Sequence, residues 1–108
     1  MDLMICRDCL FHLSYEDIKK FFLNYKKYKI KFIIITGNKN YNNKDKSFSN
    51  KDIITGDFRK IDFFSPPFNF KKNYKLSFLD EDIYDTNNSK YIYLFLRKNF
   101  IKNINIFC

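Results

Sequence analysis

The residues best suited to chemistry lie near the start of the chain, in the stretch ICRDCLFHL at positions 5–13. Cys6, Cys9 and His12 follow one another at intervals of three residues, and His12 is the one histidine of the sequence. Cysteine thiolates and imidazoles are common zinc ligands, and a Cys-x-x-Cys pair can also form a redox-active disulfide. The spacing alone therefore raises a metal site and a redox pair as hypotheses.

Both hypotheses lack a necessary part. A zinc site needs a fourth ligand, and Cys108 is the one remaining cysteine, with no second pair at the usual spacing. Haem attachment requires histidine directly after the second cysteine, where Leu10 stands. A thioredoxin-like pair lies at a helix N-terminus, whereas the cap of the next predicted helix, Ser14, comes well after the pair. We therefore predict no metal site and treat the cysteine spacing as incidental.

The charged residues of the same stretch are the stronger candidates for chemistry. Arg7 can orient an anionic group, and Asp8 or His12 can take a proton from a hydroxyl or an amine. The structural alternatives stay open: Arg7 and Asp8 can pair with each other or cap the following helix. His12 can equally be a hydrogen-bonded structural residue.

Composition limits the chain to one small domain. It has 108 residues, 14 Phe and 8 Tyr, and 45% hydrophobic content, which excludes a disordered chain. Its two glycines argue against a glycine-rich phosphate loop. Asp2 is acidic, whereas a signal peptide carries positive charge near its start. No apolar run approaches the roughly 18–20 residues of a membrane span. We expect a cytoplasmic protein with reduced thiols and no membrane partner.

The net charge of +8 raises nucleic-acid binding as a weaker alternative. Only three of the basic residues are arginine, the side chain that reads phosphates and guanines with two parallel hydrogen bonds. The bias towards Lys and Asn is typical of AT-rich coding, so a solvated surface accounts for much of the charge.

The first half of the chain predicts a strand, a helix and a second strand. Residues 2–6 (DLMIC) form an unbroken apolar run, typical of a strand buried on both faces of a parallel sheet. Ser14 and the acids of SYED predict the start of a helix that ends at Tyr28, with an apolar stripe on one side. The run KIKFIIITG at 29–37 predicts the second strand, so the three elements form a βαβ unit.

The second half predicts loops and a hairpin. Residues 38–52 read as a polar loop, and Pro66-Pro67 excludes a helix or central strand there. NYKLSFLDED at 73–82 and SKYIYLFLRKN at 89–99 predict an antiparallel hairpin. The tail from 100 to 108 is compatible with an edge strand or a short helix.

Three motifs in this order resemble the C-terminal half of a class I S-adenosylmethionine-dependent methyltransferase. They are CRDCLFHLS at 6–14, TGDFR at 55–59 and PPFNF at 66–70, and the chain is similar to a bacterial group that carries them. The resemblance covers about residues 2–97 and implies an α/β fold, an incomplete Rossmann-like methyltransferase sheet. Strands four and five would be parallel with one crossover helix, and an antiparallel hairpin would close the sheet.

The resemblance also implies roles for single residues. Asp8 and His12 would be catalytic, while Cys6 and Arg7 would line the groove at the cofactor. The substrate side would be formed by Arg7 of the first motif and by residues of the second and third motifs: Phe58, Arg59, Phe68 and Asn69. For the phenylalanines, packing in the core stays open as the alternative role. Phe58 departs from the group, which more often has tryptophan there.

The cofactor-binding half of that family, with its glycine-rich turn and ribose-binding acid, has no counterpart in residues 1–108, which would form only the C-terminal part of the domain. We therefore expect a partial methyltransferase, acting on O or N of a small molecule or saccharide only when the missing half is supplied. S-adenosylmethionine is not expected to bind this chain alone. The alternative is a non-catalytic remnant or interaction module that pairs through its open strand edge, with itself or with a separate chain.

Overall fold

The computed structural model describes residues 2–40, 49–81 and 88–108. The strands in these residues are β1 (Leu3–Cys6), β2 (Phe32–Asn40), β3 (Leu76–Glu81) and β4 (Asn88–Leu96). The helices are a 3-10 turn (Leu10–His12), α1 (Tyr15–Lys27) and α2 (Arg97–Phe107). Parts of the predicted polar loop and of the hairpin turn, at 41–48 and 82–87, lie outside the described residues. No helix in the described ranges is long and apolar enough to cross a membrane.

Helix α1 begins where the sequence predicts. The Ser14 side chain accepts a hydrogen bond from the Asp17 N–H at 3.1 Å, which satisfies one of the free donors of the first turn. Ile18, Phe22 and Tyr25 are buried along one side of the helix. Tyr28, predicted as the end of the apolar stripe, is the C-cap and is 56% exposed.

Replacing Ser14 with alanine should lower the free energy of unfolding by about 1 kcal/mol, because the Asp17 N–H loses its acceptor. Urea unfolding followed by circular dichroism measures the change. Ser49→Ala is the matched control, since Ser49 is exposed outside any helix or strand. Equal stability of the two variants would show that the cap contributes nothing.

The four strands form one mixed sheet in the order β1-β2-β4-β3. β1 and β2 are parallel and are joined through α1, while β4 pairs antiparallel with β2 on one side and with β3 on the other. The α/β class is thus confirmed. β4 pairs with the whole length of β2 and so separates it from β3, an order that the sequence does not predict. These pairings do not by themselves confirm a Rossmann-like methyltransferase sheet.

Both helices pack on one face of the sheet. Ile33, Ile35 and Phe95 of that face are fully buried. The ring of Phe100 on α2 lies 5.2 Å from Phe95 and 5.5 Å from Phe22 of α1, measured between centroids, so the two helices and the sheet share one aromatic core. The C-terminal tail is therefore a helix, one of the two alternatives the sequence left open.

The segment 61–70 completes this core without forming a helix or strand. Ile61, Phe63, Phe68 and Phe70 are buried in it. A Cβ on Gly37 of β2 would lie 3.0 Å from the Phe63 ring, so glycine at this position permits the close approach.

The opposite face of the sheet has no covering layer in the described part of the chain. Ile5 is 64% exposed and Leu3 is 40% exposed, so the prediction that β1 is buried on both faces is wrong. Strand alternation and register place a continuous set of apolar side chains on this side, which we call the open face: Leu3, Ile5, Phe32, Ile34, Leu76, Phe78, Ile92, Leu94 and Leu96. Among the described strands β1 pairs only with β2, so its outer edge is also open.

Candidate functional site

Two of the predicted site residues join a charged cluster at the carboxyl end of β1. Arg7 donates two hydrogen bonds to Asp80, at 2.8 and 3.3 Å. The Lys90 ammonium lies 3.0 Å from the Asp8 carboxylate and 3.5 Å from that of Asp80. Ligands of α/β proteins are commonly bound at this end of parallel strands. We call Arg7, Asp8, Asp80 and Lys90 the charged cluster.

Asp80 is the best-shielded member of the charged cluster. Its side chain is 10% exposed, against 43% for Asp8 and 55% for Arg7. The hydrogen bond from Arg7, aided by the charge of Lys90, holds the pKa of Asp80 below its ordinary value in spite of burial. Asp80 is therefore ionised at neutral pH and positions both cations.

Sequence reasoning missed Asp80 and Lys90. Both belong to the predicted hairpin, where charged residues are typical of a solvated edge. The local pattern carries no signal for their contacts, because these reach across the sheet to residues more than 70 positions away.

A disulfide between Cys6 and Cys9 brackets Arg7 and Asp8. The prediction of reduced thiols is therefore wrong for this pair, while Cys108 is free and exposed. Between the two cysteines, Asp8 has a φ of 57°, in the left-handed region, and its N–H donates to Thr36 Oγ1 at 2.9 Å. Cys6, implied to be near a cofactor, is 4% exposed and its sulfur is committed to the disulfide.

His12 is exposed and has a defined neutral tautomer. Its Nδ1 lies 3.0 Å from the Asp57 carbonyl oxygen, and a carbonyl can only accept, so Nδ1 carries the proton. In the neutral ring Nε2 then carries the lone pair, which can accept a proton. The ring of Phe58, 60% exposed, lies 5.7 Å away and gives the imidazole an apolar neighbour.

The loop at 49–60, which we call the docked loop, holds the second motif against the first. Gly56 N–H donates to the His12 carbonyl at 2.8 Å, and Arg59 N–H donates to that of Phe11 at 3.2 Å. Thr55 Oγ1 accepts from Ser14 N–H at 3.0 Å. The docked loop thus holds TGDFR against CRDCLFHLS.

Arg59 lies beneath the docked loop. It is 8% exposed, and its guanidinium donates to the carbonyls of Lys51, Leu10 and Phe11 at 3.0–3.1 Å. Burial lowers the pKa of Arg59. The guanidinium therefore connects the backbone of the docked loop to that of the 3-10 turn.

The third motif is placed mainly in the core. Phe68 is fully buried, with its ring 4.9 Å from Phe63 and 4.5 Å from Phe107. Asn69 is exposed and has a φ of 52°. Of the residues implied to form the substrate side, Arg7, Phe58 and Asn69 therefore present exposed side chains.

The residues described do not fit an S-adenosylmethionine site. Such a site needs a glycine-rich turn through which backbone approaches the cofactor. The space beside Gly37 is filled by the Phe63 ring. Gly56 has a φ of 109° and lies in the turn of the docked loop, where an added Cβ would meet no atom within 4 Å. Both glycines serve the fold of this chain.

Within the described ranges, no group of three or more His, Cys, Asp or Glu side chains is arranged to hold a metal ion. The disulfide also removes the two thiolates on which the zinc hypothesis depends.

Fold and site together define an α/β protein with a mixed four-stranded sheet, a helical layer on one face and charged residues at the end of its parallel strands. Comparisons with protein families, curated proteins and solved structures find no match.

Proposed function

We propose that this chain supplies the substrate side of an S-adenosylmethionine-dependent methyltransferase domain, with a second polypeptide part binding the cofactor. The order of the three motifs supports the proposal, as does the parallel pair β1–β2 with its crossover helix and the antiparallel strands beyond it. The acceptor would be a hydroxyl or amine of a small molecule or saccharide.

The observation that carries the proposal is the meeting of the first two motifs at the carboxyl end of β1. There the chain presents an exposed imidazole with Nε2 as its proton acceptor, beside the exposed ring of Phe58. The charged cluster lies at the same strand end and offers the Arg7 guanidinium, half exposed, to an anionic substrate group. These groups can bind a polar acceptor, shield it on one side and remove its proton.

Calorimetric titration tests the proposal in two steps. S-adenosylmethionine titrated into the isolated chain should give no binding heat, because the described residues lack the backbone cradle the cofactor needs. The chain co-expressed with the polypeptide encoded immediately upstream of its Met1 codon should bind it at micromolar concentration. Micromolar binding by the chain alone would contradict the first expectation. An upstream frame without a strand and glycine-rich turn, or no binding by the pair, would refute the proposal.

A second candidate is a non-catalytic interaction module, and the open face favours it. A module of this kind would need a partner and no cofactor. It predicts that no pairing of the chain restores cofactor binding, so the same titration separates the two candidates.

A further inference from the structure

We infer that the open face is a docking surface for an amphipathic helix with an acidic border, supplied by a partner polypeptide. The inference rests on the sheet and its charges and does not require methyl transfer. It can hold for an enzyme half or for an interaction module.

The two faces of the same strands differ in how far their side chains are exposed. On β2 the helix-covered residues Ile33 and Ile35 are 0% exposed, while Phe32 and Ile34, which alternate with them, are partly exposed. Side chains of the open face are more exposed at the two edges of the sheet, where Ile5 is 64% and Phe78 is 50% exposed. A parallel strand pair normally has both faces covered, and a contiguous apolar patch across four strands marks an interaction surface.

The dimensions of the open face suit a single helix. Four strands spaced about 4.8 Å apart place the outer strands about 14 Å from each other, somewhat more than the diameter of one helix. The covered face of the same sheet is closed by helices of 13 and 11 residues. At about 1.5 Å per residue such helices are about 20 and 16 Å long, so a helix of similar length matches the open face.

Positive charge lies at the border of the open face. The chain carries a net charge of +8. Lys75 reaches the open face directly, with its ammonium 6.0 Å from the centre of the Phe32 ring. Two copies packed face to face would bring two such charges together, whereas acidic residues flanking an apolar stripe would complement them. We therefore assign the face to an acidic partner and not to a second copy.

Two stapled helical peptides of 14 residues provide the probe. They share one leucine stripe and differ only in its border, which is Glu in one and Lys in the other. Fluorescence anisotropy should show that the Glu peptide binds at least about tenfold more tightly than the Lys peptide. Ile5→Asp on β1 and Phe78→Asp on β3 should each weaken that binding by at least about tenfold, because each places a carboxylate in the apolar contact.

Ile54→Asp is the matched control, since Ile54 is 80% exposed on the docked loop, and it should leave peptide binding unchanged. The two test variants lie on different strands, so misfolding of one does not imply misfolding of the other. Circular dichroism shows which variants are folded, and only those are compared with the wild type. Equal affinity for both peptides, or no binding of the Glu peptide, would overturn the inference. A dimer in sedimentation equilibrium that Ile5→Asp dissociates would overturn it in favour of a second copy. Cofactor binding by the co-expressed pair is measured separately, so failure of the peptide test leaves that result standing.

Discussion

Replacing Arg59 with alanine should lower the free energy of unfolding by about 3 kcal/mol, measured by urea denaturation. The variant loses three hydrogen bonds from a charged donor to the carbonyls of Lys51, Leu10 and Phe11, two of which are buried. It also loses the stacking of the guanidinium on the Tyr15 ring, whose centre lies 5.5 Å away.

Hydrogen exchange should show where the loss falls. Amides of the docked loop that bond to the first motif, at Gly56 and Arg59, should exchange faster in Arg59→Ala. Arg59→Met restores bulk without donors and should remain destabilised. Lys51→Met removes an exposed cation from the same loop and should change stability by less than about 0.5 kcal/mol. A stable Arg59→Ala chain with unchanged exchange would return Arg59 to the candidate substrate-binding residues.

Asp80→Asn should lower the free energy of unfolding by about 2 kcal/mol at neutral pH, again in urea. The substitution keeps the shape of the side chain but removes the charge that Arg7 and Lys90 share. Lys90 keeps Asp8 as a partner and Arg7 is half exposed, so the loss should stay below that of Arg59→Ala.

The Asp80 contribution should also depend on pH, with a definite sign. The pKa of Asp80 is lower in the folded chain than its ordinary value of 3.8, so folding favours the carboxylate. The stabilisation is fully present above the unfolded value and is lost as the pH falls through the folded one. Denaturation in citrate and phosphate buffers should therefore show a steeper loss of stability below pH 3.8 in the wild type than in Asp80→Asn.

Glu16→Gln provides the control for Asp80→Asn. Glu16 pairs with Lys20 on the surface of α1, with both side chains at least 70% exposed, and a pair of this kind contributes little. Its removal should leave stability nearly unchanged. Identical acid profiles for wild type and Asp80→Asn would show that the charged cluster does not stabilise the fold.

Local chemistry explains which parts of the fold could be predicted. The cap at Ser14 and the buried stripe Ile18, Phe22 and Tyr25 are set by neighbours on one helix, so α1 follows from the sequence. The same holds for the parallel strands it joins. In the second half, β4 ends at Leu96 and α2 begins at Arg97, whereas the sequence predicts a strand as far as residue 99. This boundary could not be predicted, because no proline or glycine marks it.

Contacts between distant segments could not be predicted. Nothing near Asp80 in the sequence indicates that it pairs with Arg7, and nothing near Arg59 indicates that backbone carbonyls surround it. The exposure of Ile5 was missed for a different reason. An unbroken apolar run is the same whether both faces are covered or only one, since the covering layer is encoded elsewhere.

Because one face of the sheet is covered and the other is not, the residues of β2 fall into two groups with different roles. Ile33 and Ile35 hold the helical layer, so substitutions there affect the stability of the chain by itself. Phe32 and Ile34 contribute to the open face, so substitutions there should leave the isolated chain folded and weaken only the inferred docking of a partner helix. A screen for folding and a screen for assembly would therefore be sensitive to alternate positions of the same strand.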